Sequence, residues 1–382
     1  MPRSKKAELI RETEQETLSR TPGNLTEARR TFREELSYAD QLRLAEEIVL
    51  TRGQELCLAY ANVISLTFGF ARKRSKSDPA KKILRRDVSV SFIVKRKWGE
   101  GQAVKGQELP KYLFAFWKVG RKRKLCAVPT DVEAADDVMQ AEPLSAKSTA
   151  LVSDPAGQIG VTGAITCVIK RKKRPLPYAI SCRHVLSMSD VRHGKPGGGN
   201  PVSIYRGGGG ALAVSTGIRG PLSGNRRSYS LDVQLAGILD GKEDAFRQTM
   251  LDLEITDYVR SNADIPRRFD IYRPPTRHDG ESQRRSERVT ADLVRFHYNR
   301  LLPYHQSIGR ILHELLLEVR ASPRTMKGDS GSPAITTDKT KLVGMLIAGQ
   351  GDLSYLIPAW YLLNPVQYGP GRERERWKLL YV

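Results

Sequence analysis

The stretch KGDSGSPAI, residues 327 to 335, sets one hydroxyl between two glycines, directly after an acid and just ahead of an apolar run. Gly328 can take dihedrals that a side chain forbids, so the stretch predicts a tight turn presenting Ser330 as an exposed alcohol. Serine alone is a poor nucleophile; it needs a base within hydrogen-bond reach and an acid to orient that base. Six histidines could be the base: His184, His193, His278, His297, His305 and His313. Only His184 ends an apolar, strand-like run, YAISCRHVL (178–186), where a ring can be both positioned and partly shielded. His193 lies in a Gly-rich loop, His278 in a polar insertion and His305 near Pro303, so these three read as surface residues. His297 and His313 each flank a possible strand and stay ambiguous. For the acid, Asp232 in YSLDVQLAGI stands just inside an apolar run, where a carboxylate needs compensation. An imidazole N–H would supply it; the plainer alternative is an Asp capping the start of a strand.

The order His184, Asp232, Ser330 has gaps of 48 and 98 residues. The chymotrypsin-type triad has the same order, with gaps of about 45 and 93. GDSGSP, with CRHV upstream and LDVQLA between them, resembles the trypsin-like (chymotrypsin-fold) serine peptidases, whose hallmarks are GDSGGP and a Cys-adjacent histidine; the likeness spans residues 157–366. It implies a nucleophile at Ser330, a general base at His184, an orienting acid at Asp232, and an oxyanion hole from the backbone N–H groups of Gly328 and Ser330. It implies a protein substrate, and neither a metal nor an organic cofactor. Arg324 falls where many relatives have the base of the primary pocket, with Thr325 beside it, and Ala348 and Gly349 would form a wall. Pointing inward, Arg324 would select an acidic side chain; arginine is rarely buried unpaired, which favours a surface position.

The chain also departs from the family. The cysteine near the histidine precedes it, as Cys182, so the usual disulfide there is in doubt, and Ser332 replaces the second hallmark glycine. Many secreted relatives are activated by cutting before Ile-Val-Gly-Gly, whose new amine pairs with the acid next to the nucleophile, here Asp329. The nearest string, QIGVTGAI (158–165), is a poor match and lies too near His184, so zymogen cleavage of that kind is not expected.

Elements must hold these residues together, and 382 residues exceed the usual single domain. Residues 1–22 are polar and expected to be disordered, ending at Thr-Pro-Gly. Apolar spacing in EARRTFREELSYADQLRLAEEIVL predicts an amphipathic helix from Thr26 to about Leu50. Ile64, Leu66, Phe68 and Phe70 alternate, as do Val88, Val90, Phe92 and Val94, which predicts two strands with one buried side. Residues 23–137 thus read as a small basic α+β domain, and 138–156, lacking periodicity, as a linker. This first domain is similar to the N-terminal region of some bacterial, non-secreted trypsin-like proteins. From 157 to 382, short apolar runs recur between Gly and Pro clusters, the spacing of an antiparallel barrel or sandwich. The expectation is therefore a mainly β protein, a chymotrypsin-like double β-barrel preceded by an α+β domain and an N-terminal helix. The GGGG run (207–210) lacks a following Lys-Ser/Thr and reads as a hairpin tip.

Net charge is +21, and residues 71–124 hold 18 Lys/Arg against 4 Asp/Glu. Such a concentration suits an acidic protein, a nucleic acid or an anionic surface, or is simply a solvated face. No zinc-finger, RRM or helix-turn-helix string accompanies it. No run approaches the ~18 apolar residues of a membrane span. The basic start MPRSKK is followed by no apolar core, so export by a signal peptide is not expected. Four cysteines without a CxxC pair point to a reducing, cytoplasmic setting. The reading is a cytoplasmic serine endopeptidase with a docking or control domain, in a bacterial defence or stress role. Its rivals are an inactive trypsin-fold scaffold and a nucleic-acid binder acting through residues 71–124.

Overall fold

The computed structural model describes residues 7–9, 22–74, 82–97, 107–119, 122–134, 142–143, 146–153, 161–172, 174–186, 203–205, 210–222, 229–251, 253–273, 287–303, 310–326, 328–350 and 352–382. They fall into two compact units: Met1–Val138 with Asn262–Asp264 and Val294–Tyr298, and Met139–Ser261 with Ile265–Leu293 and Asn299–Val382. Among the described residues, no helix is long and apolar enough to cross a membrane. Most of GGGG, residues 278–286 of the polar insertion 278–289, and His193, His278 and His305 lie outside them; residues 287–289, expected to be loop, are strand.

The first unit contains strands β1 (Ala7–Leu9), β2 (Val63–Arg74), β3 (Lys82–Val94), β4 (Tyr112–Val119) and β5 (Lys122–Ala134), in the order β1-β4-β5-β3-β2. Both expected strands form. Val88, Val90, Phe92 and Val94 of β3 are buried, but so are Ser89, Ser91 and Ile93, so both faces of this strand are covered. β3 lies between β2 and a parallel β5, and strands buried on two faces lose the strict alternation of a half-exposed one. Within 1–22, Ala7–Leu9 pairs with Ala115–Trp117 of β4. The single helix expected from Thr26 to Leu50 is instead broken: Pro22–Arg30 runs into a π-type turn, Thr31–Glu35, and a new helix spans Tyr38–Ala59. The cause is local. Leu36 and Ser37 are extended, and the Ser37 hydroxyl accepts from the Asp40 N–H at 3.1 Å, capping the second helix. The apolar spacing carries across this break, which hides it in the sequence.

The second unit, which takes β16 (Glu287–Pro303) outside Val294–Tyr298, is built on two sheets that are antiparallel except where β14 (Asp257–Tyr258) runs parallel to β19 (Lys341–Gln350). In one, strands β15 (Arg268–Arg273), β16, β17 (Arg310–Ser322), β18 (Pro333–Thr336), β19 and β20 (Leu353–Pro358) follow the order β16-β15-β18-β19-β20-β17. A further pairing of β16 with β17 closes these six into a barrel. The other sheet has the order β21-β9-β10-β13-β12-β11-β7-β8, with β7 (Ala146–Ser153), β8 (Val161–Thr162), β9 (Cys167–Arg171), β10 (Tyr178–Ser181), β11 (Ser203–Tyr205), β12 (Ala211–Arg219), β13 (Gln234–Ile238) and β21 (Trp377–Tyr381). The protein is mainly β, as expected; of the two barrels expected, one closes, while among the described residues the second sheet runs from β21 to β8 without a closing pair. The stretch read as a linker contributes strands to it, β7 in the second sheet and β6 (Glu142–Pro143) on β19. Neither could be anticipated, because edge pairing demands no apolar periodicity.

Candidate active site

β10 and β13 run antiparallel with Ser181 opposite Gln234. His184 follows the end of β10 by three residues and Asp232 precedes β13 by two, so this register delivers both to the same end of the sheet. The Arg183 N–H donates to the Asp232 carbonyl at 3.3 Å, extending the pairing beyond the strands. His184 then meets Asp232 twice: its backbone N–H donates to Oδ1 at 3.0 Å, and Nδ1 lies 2.5 Å from Oδ2. An ionised carboxylate only accepts, so Nδ1 carries the proton of the neutral ring and Nε2 carries the lone pair. Hydrogen bonding to the imidazole, not strand capping alone, compensates the buried carboxylate. The pair is sealed, with His184 1% and Asp232 2% exposed.

Ser330 sits in a turn entered through Gly328 at φ 99° and left through Gly331 at φ 91°. Both glycines have a reason to be there. At Gly331 a Cβ would lie 2.0 Å from the Ala164 carbonyl oxygen and 2.7 Å from Ser181 Oγ, on top of the unfavourable φ. The turn is anchored to the strands around it: Gly331 N–H to Leu346 O (2.8 Å), Leu346 N–H to Ser332 O (3.0 Å), Ala164 N–H to Ser330 O (2.7 Å), and Thr166 Oγ1 to Gly331 O (2.6 Å). Among the described residues, the N–H groups of Gly328 and Ser330 have no acceptor. Contrary to the sequence expectation of an exposed alcohol, Ser330 is 0% exposed, and its Oγ donates to the carbonyl of Ile347 on β19 at 3.3 Å. A glycine-flanked turn permits exposure; the strands packed around it remove it.

Asp329 is also buried. Its Oδ2 accepts from the Met326 N–H at 2.7 Å and lies 2.8 Å from Nε of Arg273, at the end of β15. Nothing in RFDIYR (268–273) singles out that arginine.

No family model matches this chain, and no curated protein matches it. Solved structures that resemble it include the Rv3671c protease of M. tuberculosis in an inactive form, 14% identical, matched over 57% of this chain and 84% of its own with a TM-score of 0.32. The tobacco etch virus protease is 12% identical over 59% of this chain and 78% of its own (TM-score 0.31), and the NS6 protease of murine norovirus 1 is 10% identical over 52% and 85% (TM-score 0.27).

Two further groups approach the acid. Cys182 Sγ, the His184 ring and the Asp232 carboxylate have atoms within 4.8 Å of one another, a set of donors a metal could use. Burial first, and the Asp232 charge second, push the Cys182 thiol well above its ordinary range, and Sγ points to Leu346 O at 3.4 Å. A metal would need the thiolate, which the burial of Cys182 disfavours. Cys167 and Cys182 carry no disulfide; Cys167 pairs with Ile180 instead. His313 on β17 is buried, and burial lowers its pKa to about 4 against the opposing pull of Asp232. Its proximity to the acid had no signal beyond its place in an apolar run. His297 is buried in the first unit, where it pairs with Thr67 of β2.

The residues assigned to substrate contact separate. Arg324 is exposed, whereas Thr325 is buried and shares a 2.8 Å hydrogen bond with Ser354 Oγ on β20. Ser354 is the β20 partner of Gly349, so Thr325, Ala348 and Gly349 lie along one short stretch of the barrel.

Proposed function

We propose that this chain is a serine endopeptidase that works through an acyl-enzyme. The observation that carries the reading is the buried 2.5 Å contact of His184 Nδ1 with Asp232, in the unit that also sets Ser330 between two glycines of positive φ. In the forward step Ser330 Oγ leaves the Ile347 carbonyl, gives its proton to His184 Nε2 and bonds to the substrate carbonyl carbon. The oxyanion takes the N–H groups of Gly328 and Ser330. Collapse breaks the C–N bond, Nε2–H protonates the leaving amine, and water repeats the sequence on the ester. Asp232 holds the tautomer and stabilises the imidazolium. The basic stretch 71–124 docks an acidic partner or nucleic acid that controls or targets cleavage, in a cytoplasmic bacterial defence or stress setting.

The closed site favours one other reading, a scaffold whose hydroxyl is a relic. Labelling with a fluorophosphonate separates the two: the enzyme is labelled at Ser330 and the Ser330→Ala variant is not, whereas a scaffold stays unlabelled in both forms.

A further inference from the structure

One edge of β19 is held by β20, from Gly344↔Pro358 to Gln350↔Leu353. On the other edge the neighbours change along the strand. β18 pairs with Leu342 to Met345, Gly331 and Ser332 bond to the carbonyl and N–H of Leu346, and the Ile347 carbonyl accepts from Ser330 Oγ. Ala348 and Gly349 come next, and their antiparallel partners are Pro143 and Glu142 of β6. The hold is a weak one, since β6 has only two residues and one of them is a proline, which donates no backbone hydrogen bond. Its neighbourhood in sequence is fixed more firmly: Ala146 and Lys147 of β7 pair with Thr162 and Val161 of β8. β6 also follows closely on Val138, where the first compact unit ends, so it lies on the covalent path from the basic unit to the second one.

Sheet edges bind extended peptides through main-chain hydrogen bonds. A peptide whose carbonyl carbon meets Ser330 Oγ must pass Ile347, and the backbone edge adjoining Ile347 is Ala348–Gly349. That edge is taken. A segment of the same chain competes for it at an effective concentration on the order of mM, which a free substrate must exceed or which something must remove. Ser330 and His184 are both buried, so a second peptide has no access to them while this arrangement holds. We infer that β6 is an autoinhibitory strand: Glu142–Pro143 stands on the Ala348–Gly349 edge in place of a substrate backbone, and cleavage of other proteins waits on its release. This rests on the endopeptidase reading.

The test compares the full-length protein with a Glu142→Gly, Pro143→Gly variant, in which both pairs can still form but more chain entropy is lost in forming them. Each is given a peptide library made from a digested cell lysate, new N-termini are followed by mass spectrometry, and fluorophosphonate labelling of Ser330 is run in parallel. The variant is expected to cut the library about tenfold faster, a gain that vanishes when Ser330→Ala is added. A Pro143→Cys, Ala348→Cys variant pushes the other way. These residues are register partners, whose Cα atoms in an antiparallel pair stand ~4.5–5.5 Å apart, within the span of a disulfide. Oxidation should silence library cutting and reduction should bring it back. Labelling of Ser330 with equal cutting by the unaltered and glycine forms overturns the inference and leaves the endopeptidase reading standing. So does cutting by the oxidised cysteine form, or a cysteine pair that does not close. Failure to label Ser330 in every form removes the endopeptidase reading, and this inference with it.

Discussion

Arg273 Nε lies 2.8 Å from Oδ2 of Asp329, with both side chains almost fully buried, so the acid next to Ser330 already has an internal cation. The resemblance read from the sequence would pair this acid with a new N-terminal amine; a buried guanidinium meets the same electrostatic need. Breaking a buried pair from one side leaves an uncompensated charge, at a cost of about 3–5 kcal/mol. Arg273→Met should therefore lower unfolding free energy by that order in urea titration and abolish probe labelling. The double variant Arg273→Met, Asp329→Asn should recover most of the stability; a double variant as unstable as the single one would show that the pair is not the cause.

Asp232→Asn keeps the shape of the acid but offers an amide where His184 Nδ1–H needs an acceptor. The ring is then driven to the wrong tautomer, and acylation should slow on the order of 10³–10⁴-fold with folding intact. Rates of fluorophosphonate labelling measure this directly. A loss below about tenfold would mean that the 2.5 Å contact does not orient a working base.

His313 gives the fold an acid sensitivity. Its pKa is about 4 in the folded chain, against the ordinary 6.5, because burial disfavours the cation. Between those values the unfolded chain binds a proton that the folded chain refuses. The full contribution is present above pH 6.5, and about 3 kcal/mol is lost as pH falls to 4, with no further loss below. Urea titrations at pH 7.5 and pH 5 should differ more for the unaltered protein than for His313→Gln. Equal differences would place the acid sensitivity in other groups.

Gly331→Ala tests the turn. The added methyl would lie 2.0 Å from a backbone oxygen at φ 91°, and backbone cannot move aside as a flexible side chain does. Destabilisation of at least ~2 kcal/mol is expected, by thermal or urea unfolding. Gly210→Ala, with nothing within 4 Å of its Cβ, is the control and should be close to neutral.

The candidate site was partly legible because its chemistry rests on residue types that stand out locally. Asp232 in an apolar run needed a partner, and His184 at the end of another apolar run could be one. Their meeting depends only on two strands of matching length pairing in the one register that keeps apolar faces inward. Arg273 was not legible, since a charged residue at a strand end is ordinary and its partner lies 56 positions away. Ser37 was hidden by helical spacing that continues past it, and β6 by having no side-chain pattern to read.

From the sequence alone came the kinds of groups present, their order along the chain, and the alternation that makes the second unit a β structure. Each of these is a property of neighbours in the chain, set by strand periodicity and turn chemistry. The tertiary structure decided which distant groups touch: Arg273 with Asp329, Cys182 and His313 close to Asp232, Glu142–Pro143 on Ala348 and Gly349 of β19, and the burial of Ser330 itself. Those contacts depend on how the sheet edges are shared out. Backbone hydrogen bonds make that choice, and they leave little trace in the side chains of the segments they join.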